Sequence, residues 1–310
     1  MIRPLLVLFL AFSSLFARGQ SDALSSADRD SLLARSQELR ELAYTMHADS
    51  SPEQRFLACK LLIGELVEAL KIPNSYQFSF DSIPGLLVKH SPDDRFRTLT
   101  WELHVDGNRY RHYGAIQHNA TELTLTPLLD RGDVLGQNPE TFLGGADKWV
   151  GYVVYDILPA GTYQGQQAYF LLGFDRYAKW SRRKILDVLS FDDEGKPIFG
   201  APIFKTYNAD GLLLADRKRL IFEYGAEVNF TLDYDAKEQQ IIFENLVMMP
   251  SIHDAKPILV PDGSYHALRQ NDSGIWEETE RVYTHKYEEA PREAAKPSAE
   301  RDLFGREKNR

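Results

Sequence analysis

A run of basic and aromatic residues is the part of this sequence whose residue types are best suited to holding a ligand. Residues 176–184 read Arg-Tyr-Ala-Lys-Trp-Ser-Arg-Arg-Lys, which gives five basic side chains and no acid in a chain with a net charge of −9. Arginine and lysine bind anions, and aromatic faces stack on rings and attract cations. The sequence therefore predicts a contact surface made by Arg176, Tyr177, Lys179, Trp180, Arg182 and Arg183.

The expected partner of this surface is an anionic glycan, a lipid headgroup or an acidic protein. Because residues 176–184 lie between two predicted strands, they are expected to form an exposed loop. A solvated hairpin tip whose charges balance acidic neighbours is the alternative interpretation. Nucleic acid is not expected as a partner, because the acidic surface as a whole would repel phosphates.

The motifs that identify common enzyme classes do not occur in this sequence. No His-x-x-x-His pair, Gly-x-Ser-x-Gly elbow or glycine-rich phosphate loop is present, so neither a metal site nor a cofactor is expected. His104, His112 and His118 fall on neighbouring predicted strands, and the expected register turns His104 and His112 to opposite faces. A non-catalytic binding or envelope-associated protein is the favoured interpretation. The alternative is a hydrolase that acts on glycans or envelope material through an unidentified carboxylate pair.

The first 19 residues determine where the protein is expected to work. One basic residue precedes an apolar run over residues 4–16, and the small residues Ala17 and Gly19 follow at the positions that a signal peptidase reads. This layout predicts a signal peptide over residues 1–19 and a mature chain that begins at Gln20 in the periplasm or outside the cell. The run is shorter than the roughly 20 residues of a transmembrane helix, so a soluble mature protein without a transmembrane segment is expected.

Two amphipathic helices are predicted next, and their short connection makes them an antiparallel hairpin over residues 20–75. Ser25 or Ser26 is placed to cap the first helix and Ser51 the second, which has Pro52 at its first position. The apolar stripe of the first helix is Leu32, Leu39, Leu42, Ala43 and Met46. The stripe of the second is Phe56, Cys59, Ile63, Leu66, Val67 and Leu70. The single cysteine lies in this stripe and is expected to be a buried, inert thiol.

Residues 76–287 have an apolar period close to two, which predicts a large antiparallel β domain. The alternating aromatic residues from Tyr76 to Phe80 predict its first strand. Residues 131–148 are expected to be a long loop and residues 261–263 a turn. The clearest further strands are residues 99–105, 122–129, 149–158, 166–174, 184–191, 220–224, 228–234, 240–247 and 275–283.

A tight hairpin is predicted at the Asp-Gly pair of residues 106–107. With those two residues as the loop, Leu103 lies opposite Tyr110 on the apolar side. Glu102 then lies opposite Arg111 on the solvated side, which gives a favourable charge pair.

The sequence as a whole predicts an α+β fold that is mostly β. An N-terminal antiparallel helical hairpin is followed by a large antiparallel β meander, as one curved sheet or a two-sheet sandwich. Residues 288–310 are rich in proline, alanine and charge and lack an apolar period, so they are expected to be a disordered tail.

Several strand and turn patterns in the C-terminal half carry a resemblance. They are residues 169–174 (Tyr-Phe-Leu-Leu-Gly-Phe), 181–191, 195–202 and 261–265. In these stretches the chain resembles an uncharacterised family of secreted proteins from Bacteroidota. The resemblance implies a bacterial, exported, β-rich protein, and it implies no activity and no catalytic residue. The helical hairpin lies outside the matched part.

Overall fold

A computed structural model describes residues 23–107, 109–133, 138–208, 210–251 and 257–280. The predicted fold class is confirmed, because two N-terminal helices precede a mostly antiparallel set of β-sheets. The predicted signal peptide and the predicted C-terminal tail lie outside the described residues.

The two helices begin where the capping residues predict. Helix α1 spans Ser26–Ala48 after the N-cap Ser25, and helix α2 spans Pro52–Leu70 after the N-cap Ser51. The hydroxyl of Ser25 accepts a hydrogen bond from the backbone N–H of Asp28 over 3.1 Å, which satisfies one of the unpaired amides of the first turn.

An ion pair links the helices and demonstrates that they are antiparallel. Arg35 Nη1 lies 2.8 Å from Glu65 Oε2. These two residues are equally far from the connection in sequence, so the helices run in opposite directions from it. The predicted helical hairpin is present.

The buried face of α2 differs from its predicted stripe. Phe56 is 38% exposed, whereas Leu62 and Ala69 are buried. The buried guanidinium of Arg55 donates to the carbonyl oxygens of His104 and Val105 over 3.0 and 3.2 Å. The side of α2 that carries Arg55 therefore faces the first sheet, and the adjacent Phe56 points away from it. The predicted buried positions Cys59, Leu66 and Leu70 are confirmed.

In the described part of the chain, sixteen strands follow the helices. In chain order they are β1 (Leu87–His90), β2 (Phe96–Asp106), β3 (Arg109–His118), β4 (Leu125–Leu129), β5 (Gly144–Gly145), β6 (Val153–Tyr163), β7 (Gln166–Asp175), β8 (Ser181–Phe191), β9 (Pro197–Phe199), β10 (Phe204–Tyr207), β11 (Leu213–Leu214), β12 (Leu220–Gly225), β13 (Leu232–Asp235), β14 (Gln240–Met249), β15 (Ile258–Gln270) and β16 (Trp276–Glu280).

The strands form three sheets. The first has the order β1-β2-β3-β4, the second β5-β9-β8-β7-β6 with β12 also paired to β8, and the third β11-β10-β16-β15-β14-β13. The pair β10–β16 is parallel and the other strand pairs of the three sheets are antiparallel. The arrangement differs from the single curved sheet or two-sheet sandwich that the sequence suggests.

The second sheet is the central layer of the β region. On β7, Tyr169 and Leu171 pack in the core shared with the first sheet, whereas Phe170 and Leu172 pack in the core shared with the third. Because both faces of this strand are buried, its sequence is a continuous apolar run rather than an alternating one. The helices cover the opposite face of the first sheet, where Leu99 of β2 packs among them.

The predicted register of the β2–β3 hairpin is wrong. Glu102 pairs with His112 rather than with Arg111, and Leu103 pairs with Arg111 rather than with Tyr110. The pairing shifts between His104 and Asp106, so a bulge adds a residue that alternation alone does not reveal.

Two further consequences follow at this hairpin. Asp106 pairs with Arg109, so the loop is not formed by residues 106–107. His104 and His112 were expected on opposite faces, but the register gives them the same face, because cross-strand pairs share a face and residues two apart on a strand do too.

The strand predicted from Tyr76 to Phe80 is also wrong. Ser75–Gln77 is a turn of 3₁₀-helix, although the side chains of Tyr76, Phe78 and Phe80 are all buried, as a strand would have them. The buried Arg97 donates to the carbonyl oxygens of Ser75 and Phe78 over 2.9 and 2.7 Å. A side chain therefore satisfies backbone groups that a neighbouring strand would otherwise pair.

The turn predicted at residues 261–263 lies inside β15. The ladder with β14 breaks there, since Leu246 pairs with Pro261 but Glu244 pairs with Tyr265. Asp262 accepts hydrogen bonds from the backbone N–H and the hydroxyl of Ser264, which forms a local turn within the strand.

Candidate functional site

The candidate site is a cavity of about 480 Å³ between the β7–β8 connection and the outer ends of β14 and β15. Its polar lining residues include Ser181 and Glu223. Its volume falls within the range of small-molecule sites, and its lining combines polar and apolar side chains. The aromatic and apolar walls include Tyr177, Trp180, Tyr224, Met248, Ile258 and Leu259.

The β7–β8 connection is built tightly at both ends. Tyr177 has a φ of 51°, a left-handed conformation that is uncommon for a residue with a side chain. Its backbone N–H donates to Asp175 Oδ1 over 2.7 Å, which holds this conformation. At the other end, the N–H of Ala226 donates to the carbonyl oxygen of Trp180 over 2.9 Å, so the loop is fixed to the end of β12.

The six predicted contact residues lie together, but not all in a loop. The connection covers only residues 176–180, and Arg182 and Arg183 belong to β8. Arg176, Tyr177 and Lys179 are exposed, and the other three predicted residues are partly buried. The loop is shorter than predicted because cross-strand pairing continues to Gly225 opposite Ser181.

Arg176 and Arg183 are paired with carboxylates. Arg176 Nε donates to Glu102 Oε1 over 2.8 Å, which connects the loop to the first sheet. Arg183 donates to Glu223 Oε2 from Nε and Nη2 over 3.0 and 2.8 Å, and its guanidinium carbon lies 3.2 Å from the ring centroid of Tyr177. Much of the positive charge of these side chains is therefore balanced within the protein.

Arg182 and Lys179 are placed differently. Arg182 donates to the carbonyl oxygens of Arg176, Ala178 and Ser181, so its side chain links residues at both ends of the β7–β8 connection. Lys179 Nζ lies 4.6 Å from the ring centroid of Trp180, and among the described residues no carboxylate forms an ion pair with it. Lys179 is thus the basic side chain of the predicted surface that is best placed to meet an anion.

A buried charge cluster lies beside the loop. His112 is 5% exposed, with Nδ1 3.4 Å from Asp130 Oδ2 and Nε2 3.5 Å from Asp175 Oδ1. Burial alone would lower the pKa of His112, but the hydrogen bond to Asp130 and the charges of Asp175, Asp130 and Glu102 outweigh burial and raise it. The imidazole is therefore held in its charged form to a higher pH than a free histidine.

The two carboxyl groups around His112 respond in opposite ways. Burial raises the pKa of Asp175, even though the charge of His112 and the amide of Tyr177 act against it. Burial also acts to raise the pKa of Asp130, but the hydrogen bonds and charge of His112 lower it overall. Asp130 therefore stays ionised to a lower pH than Asp175 and is the more stable counterion of the imidazole.

The cluster does not provide the carboxylate pair of a glycoside hydrolase. Such chemistry needs two carboxyl groups facing one cleft. Among the described residues that line the cavity, Glu223 is the one carboxylate, and it is paired with Arg183. Asp130 and Asp175 lie behind the loop and are not among the lining residues.

Sequence reasoning missed one wall of the cavity. Met248, Ile258 and Leu259 lie on β14 and β15, more than 60 residues after the basic segment. The one sequence signal is the consecutive apolar pair Met248–Met249. In the structure these side chains are 70% and 49% exposed, and methionine is common at adaptable binding surfaces.

The described residues contain no group of three or more His, Cys, Asp or Glu side chains placed to hold a metal ion. They also contain no helix whose length and apolar character would let it cross a lipid bilayer. Comparisons with protein-family models, with curated proteins and with solved structures find no match to this chain.

Proposed function

We propose that this chain is an exported bacterial binding protein whose cavity beside residues 176–180 holds an anionic, ring-bearing ligand, with acidic sugars as the ligand class. The observation that carries the proposal is the placement of Lys179 4.6 Å from the ring centroid of Trp180, a wall residue of the cavity. A lysine beside an aromatic face binds an acid group and a ring at the same time.

The charges around the cavity support one anionic group rather than many. Arg183 and Glu223 neutralise each other, and Arg182 is held by backbone carbonyls. Lys179 then supplies the net positive charge beside the aromatic wall. A ligand that places one acid group next to a ring face in the cavity fits this arrangement, and a single unit of an acidic oligosaccharide does so.

The apolar part of the cavity supports a ligand with a hydrophobic face. Tyr177 and Trp180 contribute aromatic side chains to the lining of the cavity, and Met248 and Leu259 contribute aliphatic ones. Stacking with a nearby cation contributes about 0.5–2 kcal/mol per contact. Two or three such contacts at the upper end of this range give about 4–6 kcal/mol, which corresponds to a Kd between about 1 mM and roughly 40 μM.

The test is calorimetric titration of the full mature protein with oligogalacturonate, with a neutral oligosaccharide of equal length as control. We expect Trp180→Ala to weaken oligogalacturonate binding at least tenfold. Lys179→Gln should weaken it about fivefold and remove most of its salt dependence. Tyr44→Ala changes an aromatic residue that is 68% exposed on α1, and it should leave binding unchanged.

The outcome identifies the ligand class. Equal binding of the neutral and the acidic oligosaccharide would contradict the role of Lys179. Binding only to phosphatidylglycerol vesicles or to an acidic peptide, each lost in Trp180→Ala, would assign the same site to a lipid headgroup or an acidic protein. Binding that survives Trp180→Ala would overturn the site.

Export is proposed from the first 19 residues, which suit a signal peptide. Intact-mass analysis of protein released from the producing bacterium should give a chain that starts at Gln20. A chain in the released fraction that still starts at Met1 would contradict this part of the proposal.

A further inference from the structure

One carboxylate oxygen joins the buried histidine to the loop of the candidate site. Asp175 Oδ1 accepts a hydrogen bond from the backbone N–H of Tyr177 over 2.7 Å, and the same oxygen lies 3.5 Å from His112 Nε2. His112 is on β3 of the first sheet, whereas Asp175 is the last residue of β7 in the second. The contact therefore crosses from one sheet to the other and ends at an aromatic wall residue of the cavity.

The groups that face His112 come from three strands. Glu102 pairs with it across β2, Asp130 contacts it from the end of β4, and Asp175 contacts it from β7. Arg176 balances Glu102, because its Nε lies 2.8 Å from Glu102 Oε1. Asp130 and Asp175 then share the imidazolium as a buried counterion, and Arg183, which pairs with Asp175 across β7 and β8, adds a second positive charge that favours the ionised form of Asp175.

The cluster extends to helix α1 through His47. Its pKa is lowered chiefly by burial, with Glu102 acting against burial and Arg176 acting with it. His47 therefore loses its proton at a lower pH than His112, and it adds little positive charge to the cluster near neutral pH.

We propose that His112 is a positioning residue that sets the backbone of Tyr177 through Asp175, so that the cavity binds its ligand more tightly while His112 is protonated. The proposal rests on the proposed function of the cavity and adds its regulation by pH.

The direction of the effect follows from the charges. While the imidazole is charged, Asp175 stays ionised and its oxygen holds the N–H of Tyr177 with the strength of a charged acceptor. When the imidazole loses its proton, Asp130 and Asp175 face each other across a neutral ring in a buried site. Asp175 then gains by turning toward solvent, and its hold on Tyr177 weakens.

The left-handed conformation of Tyr177 makes the loop sensitive to this change. A φ of 51° is unfavourable for a residue with a side chain, so it persists only while its surroundings enforce it. Loss of the bond from Asp175 removes one of those constraints and lets the aromatic ring leave the cavity wall.

The first experiment needs no ligand. Nuclear magnetic resonance of the full isotope-labelled mature protein records the His112 ring and the Tyr177 amide between about pH 5 and pH 9. We expect the Tyr177 amide to shift with the same midpoint as the His112 ring, above the ordinary histidine pKa of 6.5. In Asp175→Asn the amide shift should shrink several-fold while the ring still titrates.

The second experiment measures oligogalacturonate binding over the same pH range. In the wild type, Kd should rise about five- to tenfold as the pH passes the His112 midpoint, a size typical of coupling between two sites. In His112→Gln, Kd should stay at the weak level at every pH. His104→Gln, which changes a partly exposed histidine of β2 on the same face, should keep the wild-type profile.

The two experiments separate the possible failures. A Tyr177 amide that ignores the His112 titration overturns the positioning role, even if oligogalacturonate binds. A Tyr177 amide that follows His112 while no probe binds supports the positioning role and contradicts the proposed function. If His112→Gln does not fold, the wild type and Asp175→Asn decide the question by themselves.

Discussion

Arg219 and Asp187 form an ion pair in which both side chains are completely buried. Arg219 Nε lies 3.0 Å from Asp187 Oδ1, and each side chain has 0% exposed surface. The hydroxyl of Tyr152 donates to the second oxygen of Asp187 over 3.1 Å. The pair fixes the loop before β5, because Arg219 also donates to the carbonyl oxygens of Pro139 and Phe142.

The first prediction concerns this pair. Asp187→Ala should lower the free energy of unfolding by about 3–5 kcal/mol, because it leaves the guanidinium of Arg219 buried without a counterion. The double variant Asp187→Leu with Arg219→Met should recover part of the loss, since it removes both charges. Urea denaturation measures both, and an unchanged midpoint for Asp187→Ala would contradict the buried pairing.

The second prediction concerns Arg97, which is 0% exposed and has no carboxylate partner among the described residues. Burial lowers its pKa to about 10. Arg97→Met should lower the free energy of unfolding by roughly 3 kcal/mol, because the carbonyl oxygens of Ser75 and Phe78 and the side-chain oxygen of Gln117 lose their donor. The control Arg95→Met changes an exposed arginine of the same segment and should stay within about 0.5 kcal/mol. Equal thermal denaturation of the two variants would contradict this role.

The third prediction concerns the helical hairpin. Leu66 is 4% exposed, so Leu66→Asp should lower the free energy of unfolding by several kcal/mol by burying an unpaired charge. The same substitution at Leu57, which is 50% exposed on the same helix, should cost far less. Glu65→Ala removes only the partly exposed pair with Arg35, worth about 0.5 kcal/mol. A melting temperature of Leu66→Asp equal to that of Leu57→Asp would contradict the assigned face.

The fourth prediction is a pH dependence of stability. The pKa of His112 is higher in the folded protein than its ordinary value of 6.5, so the folded state binds its proton more tightly than the unfolded chain. The stabilisation is fully present below about pH 6.5 and is lost as the pH rises through the raised pKa. Urea midpoints should therefore fall over this window in the wild type and stay flatter in His112→Gln. A wild-type midpoint that rises with pH there would have the wrong sign.

The fifth prediction concerns Gly151, which has a φ of 85°. A Cβ atom at this position would lie 2.4 Å from Asp130 Oδ1. Gly151→Ala should therefore displace Asp130, lower the pKa of His112 and cost about 1–3 kcal/mol. Gly165→Ala is the control, because its φ is 79° but nothing lies within 4 Å. If both variants lose the same stability, backbone conformation alone explains the effect and Asp130 does not move.

The elements with strong local signals could be predicted from the sequence. Ser25 and Ser51 are N-caps because their hydroxyls meet free amides within one turn, and local sequence contains that information. The strand that ends at Asp175 and the strand that ends at Phe191 were likewise predicted within a few residues at each end. Their apolar runs are long and are bounded by polar turns.

The features that failed depend on side chains distant in sequence. Residues Tyr76 to Phe80 have the period of a strand, but Arg97 takes the place of a strand partner, and its role depends on burial. The bulge after His104 shifts the pairing of β2 with β3 by one residue, and the alternation of apolar and polar residues in the sequence does not reveal such a shift. The contacts of His112 with Asp130 and Asp175 join three strands, so no motif in one segment marks them.

The central position of the second sheet has a consequence for the candidate site. Residues 176–180 bridge two strands, β7 and β8, that are covered on both faces, so neither strand can shift without opening two cores at once. Under the proposed function, the loop that contacts the ligand is therefore attached to two strands that are packed on both faces. While His112 is protonated, binding would then order little additional chain, and selectivity would depend on the fit of a few side chains.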